Sequence, residues 1–307
     1  MSGQDPTSRG FISQRLRLNY VDWGNPQAPL LLLIHGSRDH ARAWDWTAQA
    51  LRRDWRVVAP DLRGHGDSAW SPEGRYDFAG LVYDLAQLAF HLDGGPATII
   101  GHSLGAHIAL RYAGLFPDAV TRLVAVEPVG APPALEAERN APSLDVRMRR
   151  WIEEKREAAD RQPRRYASID DALARMRAEN VHLSREQAHH LTIHGVRRNE
   201  DDSFSWKFDP LLRVWPFPDH SKEEVAALWR RIRCPTLLMY GRNSWPSSLR
   251  DDLARNLAGA STVEFEDAGH WLHHDRFGSF IAELSAFLAA PEGEPRSSVA
   301  GQARAAR

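Results

Sequence analysis

Ala97-Thr98-Ile99-Ile100-Gly101-His102-Ser103-Leu104-Gly105-Ala106-His107-Ile108-Ala109-Leu110 reads as a strand, an abrupt turn and a helix. β-Branched residues lead into a G-x-S-x-G pentapeptide, and a stretch rich in Ala and Leu leads out of it. Glycines two residues before and two after the serine suit a turn that brings the helix back against the strand and leaves no room for side chains. Such a turn pushes Ser103 out at its tip. A serine hydroxyl is a poor nucleophile by itself, so chemistry here needs a histidine to take its proton and a carboxylate to orient that histidine.

Working outward, the upstream run Leu30-Leu31-Leu32-Leu33-Ile34 is apolar on both faces, the mark of a strand covered on two sides, and ends in His35-Gly36-Ser37. A helix over 43–53, a strand over 56–59 and a helix over 78–92 with apolar residues at helical spacing follow. Downstream, a strand over 122–126 ends at Glu127. From Gly130 the rhythm changes to charged amphipathic segments over 143–160, 169–179, 184–194 and 221–231, with no strand-like run. Alternation resumes with a strand over 236–240, a helix over 248–257, a strand over 262–265, the loop Glu266-Asp267-Ala268-Gly269-His270 and a helix over 277–289.

The organisation expected is therefore a flexible N-terminus (1–10), an α/β core (11–130 and 232–290), a helical cap (131–231) and a disordered tail (291–307). Within the core, 11–18 is expected as an edge strand and 19–25 as a second short strand. The βα units predict an α/β fold, a mostly parallel central sheet with helices on both faces, which binds ligands beyond the carboxyl ends of its strands. Ser37, Ser103, Glu127, Ser244 and His270 fall on that edge.

Composition narrows the chemistry. The 307 residues carry 39 Lys+Arg against 40 Asp+Glu, a net charge of -1 that recommends neither nucleic acid nor an anionic membrane as partner. The single cysteine, Cys234, excludes an intrachain disulfide and argues against a cysteine-based zinc site. No leader-like or membrane-length apolar segment is present, so a cytoplasmic protein is expected. Eleven tryptophans are a high count, part of which suits an apolar pocket.

His35-Gly36, the loop Asp61-Leu62-Arg63-Gly64-His65-Gly66-Asp67-Ser68, Gly101-His102-Ser103-Leu104-Gly105 and Gly269-His270-Trp271 together resemble the α/β-hydrolase superfamily, over nearly the whole of 20–288. The resemblance implies a capped serine hydrolase with Ser103 as nucleophile and His270 as base; His102, beside the serine, is expected to point away from it. Most relatives carry an aspartate on the loop that here reads Gly241-Arg242-Asn243-Ser244-Trp245, where Ser244 stands instead. Glu127 is then the expected acid, an arrangement similar to that of zearalenone lactonases, with Asp267 in reserve. The N–H groups of Ser37 and Leu104 are expected to form an oxyanion hole. Arg38 and Trp206 are candidate substrate-binding residues; Trp151, Phe208, Trp215 and Phe217 also belong to an aromatic set able to line a pocket or pack the cap. The loop over 61–68 is expected to be structural. The implied activity is hydrolysis of a small apolar carboxylic ester or lactone, without metal or cofactor. Carbon–carbon bond hydrolysis, cofactor-free haloperoxidase or perhydrolase chemistry, and a small-molecule receptor are the rival readings.

Overall fold

A computed structural model of the protein describes residues 5–291 apart from 94, 219 and 258; the stretches 1–4 and 292–307, both expected to be loose, lie outside the described residues. The strands are β1 (Thr7–Ser13), β2 (Leu16–Asp22), β3 (Leu30–Ile34), β4 (Arg56–Pro60), β5 (Ala97–His102), β6 (Val120–Val126), β7 (Val196–Arg198), β8 (Phe204–Trp206), β9 (Thr236–Gly241) and β10 (Ala260–Phe265). The helices are α1 (Asp45–Leu51), α2 (Phe78–His91), α3 (Leu104–Leu115), α4 (Pro133–Asn140), α5 (Leu144–Ala159), α6 (Ile169–Glu179), α7 (Arg185–Gly195), α8 (Lys222–Trp229), α9 (Leu249–Asn256), α10 (Leu272–Asp275) and α11 (Phe277–Ala289).

Eight strands form one sheet in the order β1-β2-β4-β3-β5-β6-β9-β10, antiparallel at β1-β2 and β2-β4 and parallel from there on. Alternate residues of the central strands face opposite ways. Leu32, Ile34 and Ile99 join α2 and α3 in one core, whereas Leu31, Leu33 and Ile100 join Trp44 and the α11 residues Phe280 and Leu284 in the other. This two-sided cover is why β5 is buried along its whole length and reads as an unbroken apolar run.

Two expectations need correction. Residues 7–10, assigned to a loose N-terminus, belong to β1, because the ladder with β2 runs out to Thr7 opposite Asp22. The stretch 11–18, expected as a single strand, holds the end of β1, the hairpin turn and the start of β2. Gln14 and Arg15 occupy left-handed backbone at the tip of the turn (φ 48° and 66°), a conformation usually signalled by Gly or Asn.

Between β6 and β9 lie α4 to α8 and, against expectation, a two-stranded antiparallel sheet of β7 and β8. Ser168, Ser184 and Ser221 cap α6, α7 and α8 in reciprocal capping boxes, which satisfy the free N–H groups of the first turns. Among the described residues, no helix is long and apolar enough to cross a membrane.

Candidate active site

Ser103 follows the last residue of β5 and precedes α3 with backbone angles φ 50°, ψ −114°. The flanking glycines explain how this geometry is tolerated. A Cβ on Gly105 would lie 2.2 Å from the Ile34 carbonyl oxygen, and one on Gly101 would lie 2.4 Å from that of Gly105. Helix and strand are packed backbone to backbone there, and only glycine permits it. The loop after β3 meets the same turn, since a Cβ on Gly36 would sit 3.4 Å from that of Ser103. Ser103, Ser37 and Leu104 open into a cavity of ≈ 1450 Å³ that also receives His270.

Glu127 is the first residue past β6, fully buried, in left-handed backbone (φ 53°) with its N–H donated to the Met239 carbonyl at 2.8 Å. One carboxylate oxygen accepts the Gly241 N–H at 2.6 Å. The other accepts the Ser244 hydroxyl at 2.5 Å and faces His270 Nδ1 at 3.1 Å. An ionised carboxylate only accepts, so Nδ1 carries the proton and Nε2 keeps its lone pair. Burial pushes Glu127 up to about 7, against the opposing pull of the Ser244 and Gly241 donors. Burial likewise pushes His270 down to about 4. Both shifts express one cause, the loss of water around a charge.

The backbone around His270 is held on both sides. His102 Nε2 meets its carbonyl oxygen at 2.8 Å, and the Gly269 N–H donates to Asp275 at 2.8 Å. His102 is buried and uses its ring in this way. Trp245 packs on the His270 ring with centroids 4.3 Å apart and donates its indole N–H to Gly130 at 2.9 Å. Sequence reasoning treated Ser244 as the place of an absent aspartate, and its second meaning, a donor to the carboxylate one strand away, required the spatial neighbour.

The other candidates separate clearly. Arg38 lines the cavity, as do Trp151, Trp215 and Phe217. Trp206 and Phe208 do not: Trp206 donates to the Tyr166 hydroxyl at 3.2 Å and packs with Tyr166 and Val196 in the insertion's own core. Its substrate-binding assignment is corrected accordingly, because pairing in β8 turns it into that cluster. Asp267 is committed to Arg276 at 2.7 Å on the surface. In the loop over 61–68, Asp61 accepts from Asn19, Ala41 and Asp67, and Arg63 pairs with buried Asp84 at 2.6 Å; these polar groups hold the loop together.

Among the described residues one group has the spacing of a cation site, Asp45, His190 and His194. None of the three lines the cavity. Arg42 Nε bonds both Asp45 oxygens at 2.8 Å, so that carboxylate is already neutralised.

A sequence model of the Alpha/beta hydrolase family matches residues 31–283. The 3-hydroxybutyrate-oligomer hydrolase of Cupriavidus necator is 30% identical over 272 residues, covering 83% of this chain and 87% of its own. An esterase of Mycobacterium tuberculosis is 30% identical over 230 residues, covering 74% and 70%. Among solved structures, the thioesterase domain from the curacin biosynthetic pathway superposes with a TM-score of 0.78 at 23% identity, over 93% of this chain and 100% of that one.

Proposed function

This chain belongs to the alpha/beta hydrolase family, and from that premise we propose that it is a serine hydrolase of carboxylic esters or lactones working through an acyl-enzyme. Ser103 Oγ attacks the carbonyl carbon as His270 Nε2 takes its proton, Glu127 stabilises the imidazolium, and the N–H groups of Ser37 and Leu104 hold the oxyanion. His270 then returns the proton to the leaving alcohol. Water, deprotonated by the same histidine, releases the acid and restores Ser103.

The observation that carries this reading is the His270–Glu127 hydrogen bond at 3.1 Å, opening on the cavity that holds Ser103. The insertion acts as a cap, supplying Trp151, Trp215 and Phe217 to the apolar part of the site. The hydrolase and esterase names of the relatives support the reaction class, and a short hydroxy-acid oligoester belongs among the substrates tried. A cytoplasmic location fits a chain with one cysteine.

Turnover of a panel of p-nitrophenyl esters and lactones tests the assignment. Ser103→Ala and His270→Ala are expected to lose on the order of 10³-fold or more in kcat, and Glu127→Gln a comparable factor. Full activity in Ser103→Ala overturns the mechanism. Unchanged activity in Glu127→Gln alone moves the acid elsewhere.

A further inference from the structure

The geometry points to an anion-binding subsite at the active-site cavity, formed by the guanidinium groups of Arg38 and Arg213, and so to an ester substrate that carries a free carboxylate. The inference rests on the serine-esterase reading and adds to it the charge of the substrate.

Arg38 stands immediately after Ser37, in the turn closed by the Asp39 N–H on the Gly36 carbonyl at 3.4 Å. Its backbone is left-handed (φ 62°), where glycine is the unstrained choice. A long cationic side chain is kept at a position that backbone sterics would give to glycine. Arg213 comes from the insertion, at the end of the short 3₁₀ helix Pro210–Arg213. That helix is pinned to the core, since the Asp209 N–H donates to the Gly64 carbonyl at 2.8 Å and Tyr76 donates its hydroxyl to the Asp209 carboxylate. Both arginines line the cavity that holds Ser103.

Most other cations around this cavity have partners: Arg139 lies over Trp215, Arg255 pairs with Asp252 and Lys222 with Glu136, while Arg147 approaches only the Phe217 ring. Among the described residues, Arg38 and Arg213 make no ion pair and no hydrogen bond. Glu179, whose charge acts on Arg38, is paired with Arg175, and Asp39 accepts from the His40 N–H. Both residues keep solvent exposure at the cavity wall; partial loss of water there and the repulsion of Arg213 both pull the Arg38 guanidinium below its usual range. A carboxylate placed between two such forks relieves that repulsion and accepts paired N–H bonds. Arg38 is two residues past Gly36, where an added Cβ would sit 3.4 Å from that of Ser103, so it serves a carboxylate a short chain away from the scissile carbonyl.

Two matched pairs of esters test this: mono-p-nitrophenyl glutarate against p-nitrophenyl pentanoate, with the charge on the acyl side, and 3-butanoyloxybutanoate against its methyl ester, with the charge on the alcohol side. At low ionic strength the charged member of at least one pair is expected to have a kcat/KM about tenfold or more higher. Arg38→Gln and Arg213→Gln should each shrink that ratio about fivefold or more, while Arg38→Lys and Arg213→Lys retain most of it. No preference in either pair, or a preference unmoved in both Gln variants, overturns the subsite. Should wild type hydrolyse none of the four, the esterase reading fails separately. Calorimetry of glutarate with Ser103→Ala then decides the subsite: binding lost on adding Arg38→Gln supports it, and absence of binding to Ser103→Ala overturns it.

Discussion

Glu127 holds its carboxylate where no water reaches, and two donors, the Gly241 N–H and the Ser244 hydroxyl, replace that water. In the proposed mechanism, the state able to accept a proton from Ser103 has Glu127 ionised and His270 neutral. A proton entering the pair removes that state, and with the carboxyl pushed up to about 7 and the imidazole down to about 4, it enters on the carboxyl side. The kcat/KM of an ester is therefore expected to fall as pH drops through about 7. In Ser244→Ala the ionised form loses a donor, so the acid limb should move up by about one pH unit, with a larger loss at pH 7 than at pH 9. A pH–rate profile for the two proteins checks this, and coincident acid limbs count against the role of Ser244. At this scale the sequence nominates Ser103 through its turn motif, and His270 and Glu127 through the family resemblance together with the strand ends they follow. The roles of Ser244 and Trp245 were not legible, because their partners lie 115 or more residues away in the chain.

Among the elements, the β5–α3 turn is packed main chain against main chain. Gly105→Ala would drive a methyl group into the Ile34 carbonyl, which is main chain and cannot swing aside. A loss of about 3 kcal/mol or more is expected. Gly278→Ala is the matched control: in α11, with nothing within 4 Å of the added carbon, it should gain about 0.5–1 kcal/mol. Urea denaturation of both variants measures the contrast, and similar stabilities would contradict the backbone contact. Helices with capping boxes and strands with apolar runs could be read in advance. The β1–β2 turn and the β7–β8 pair could not. Gln14 and Arg15 give no turn signal, and strands of three residues are too short to show a period. Tyr166, which pairs with Phe204, supplies the tertiary contact that makes β8 a strand and directs Trp206 inward.

Across the whole molecule, histidines are stored in their neutral form. Burial holds His35, His65 and His274 down at about 3 and His107, His194 and His270 at about 4, and takes His102 and His273 well below the usual range. The sign follows from linkage. Above 6.5 these rings are neutral in both folded and unfolded chains and their contribution to stability is complete. Below 6.5 the unfolded chain takes up protons that the fold refuses, and each ring removes ~1.4 kcal/mol per pH unit until its folded value is reached. Against a total stability of about 5–15 kcal/mol, unfolding is expected near pH 5, well above the range where carboxylates alone would drive it. Far-UV circular dichroism across an acid titration measures the midpoint, and a fold intact at pH 4 would contradict the burial of these rings. With the acid at the end of β6 and not after β9, the proposed nucleophile and acid both precede the insertion, and His270 alone follows it. The proposed base therefore depends on the return of the chain to the sheet: it stands on the loop after β10, the edge strand beside β9, so the chain has to leave the sheet through the insertion and rejoin it before the three groups can meet.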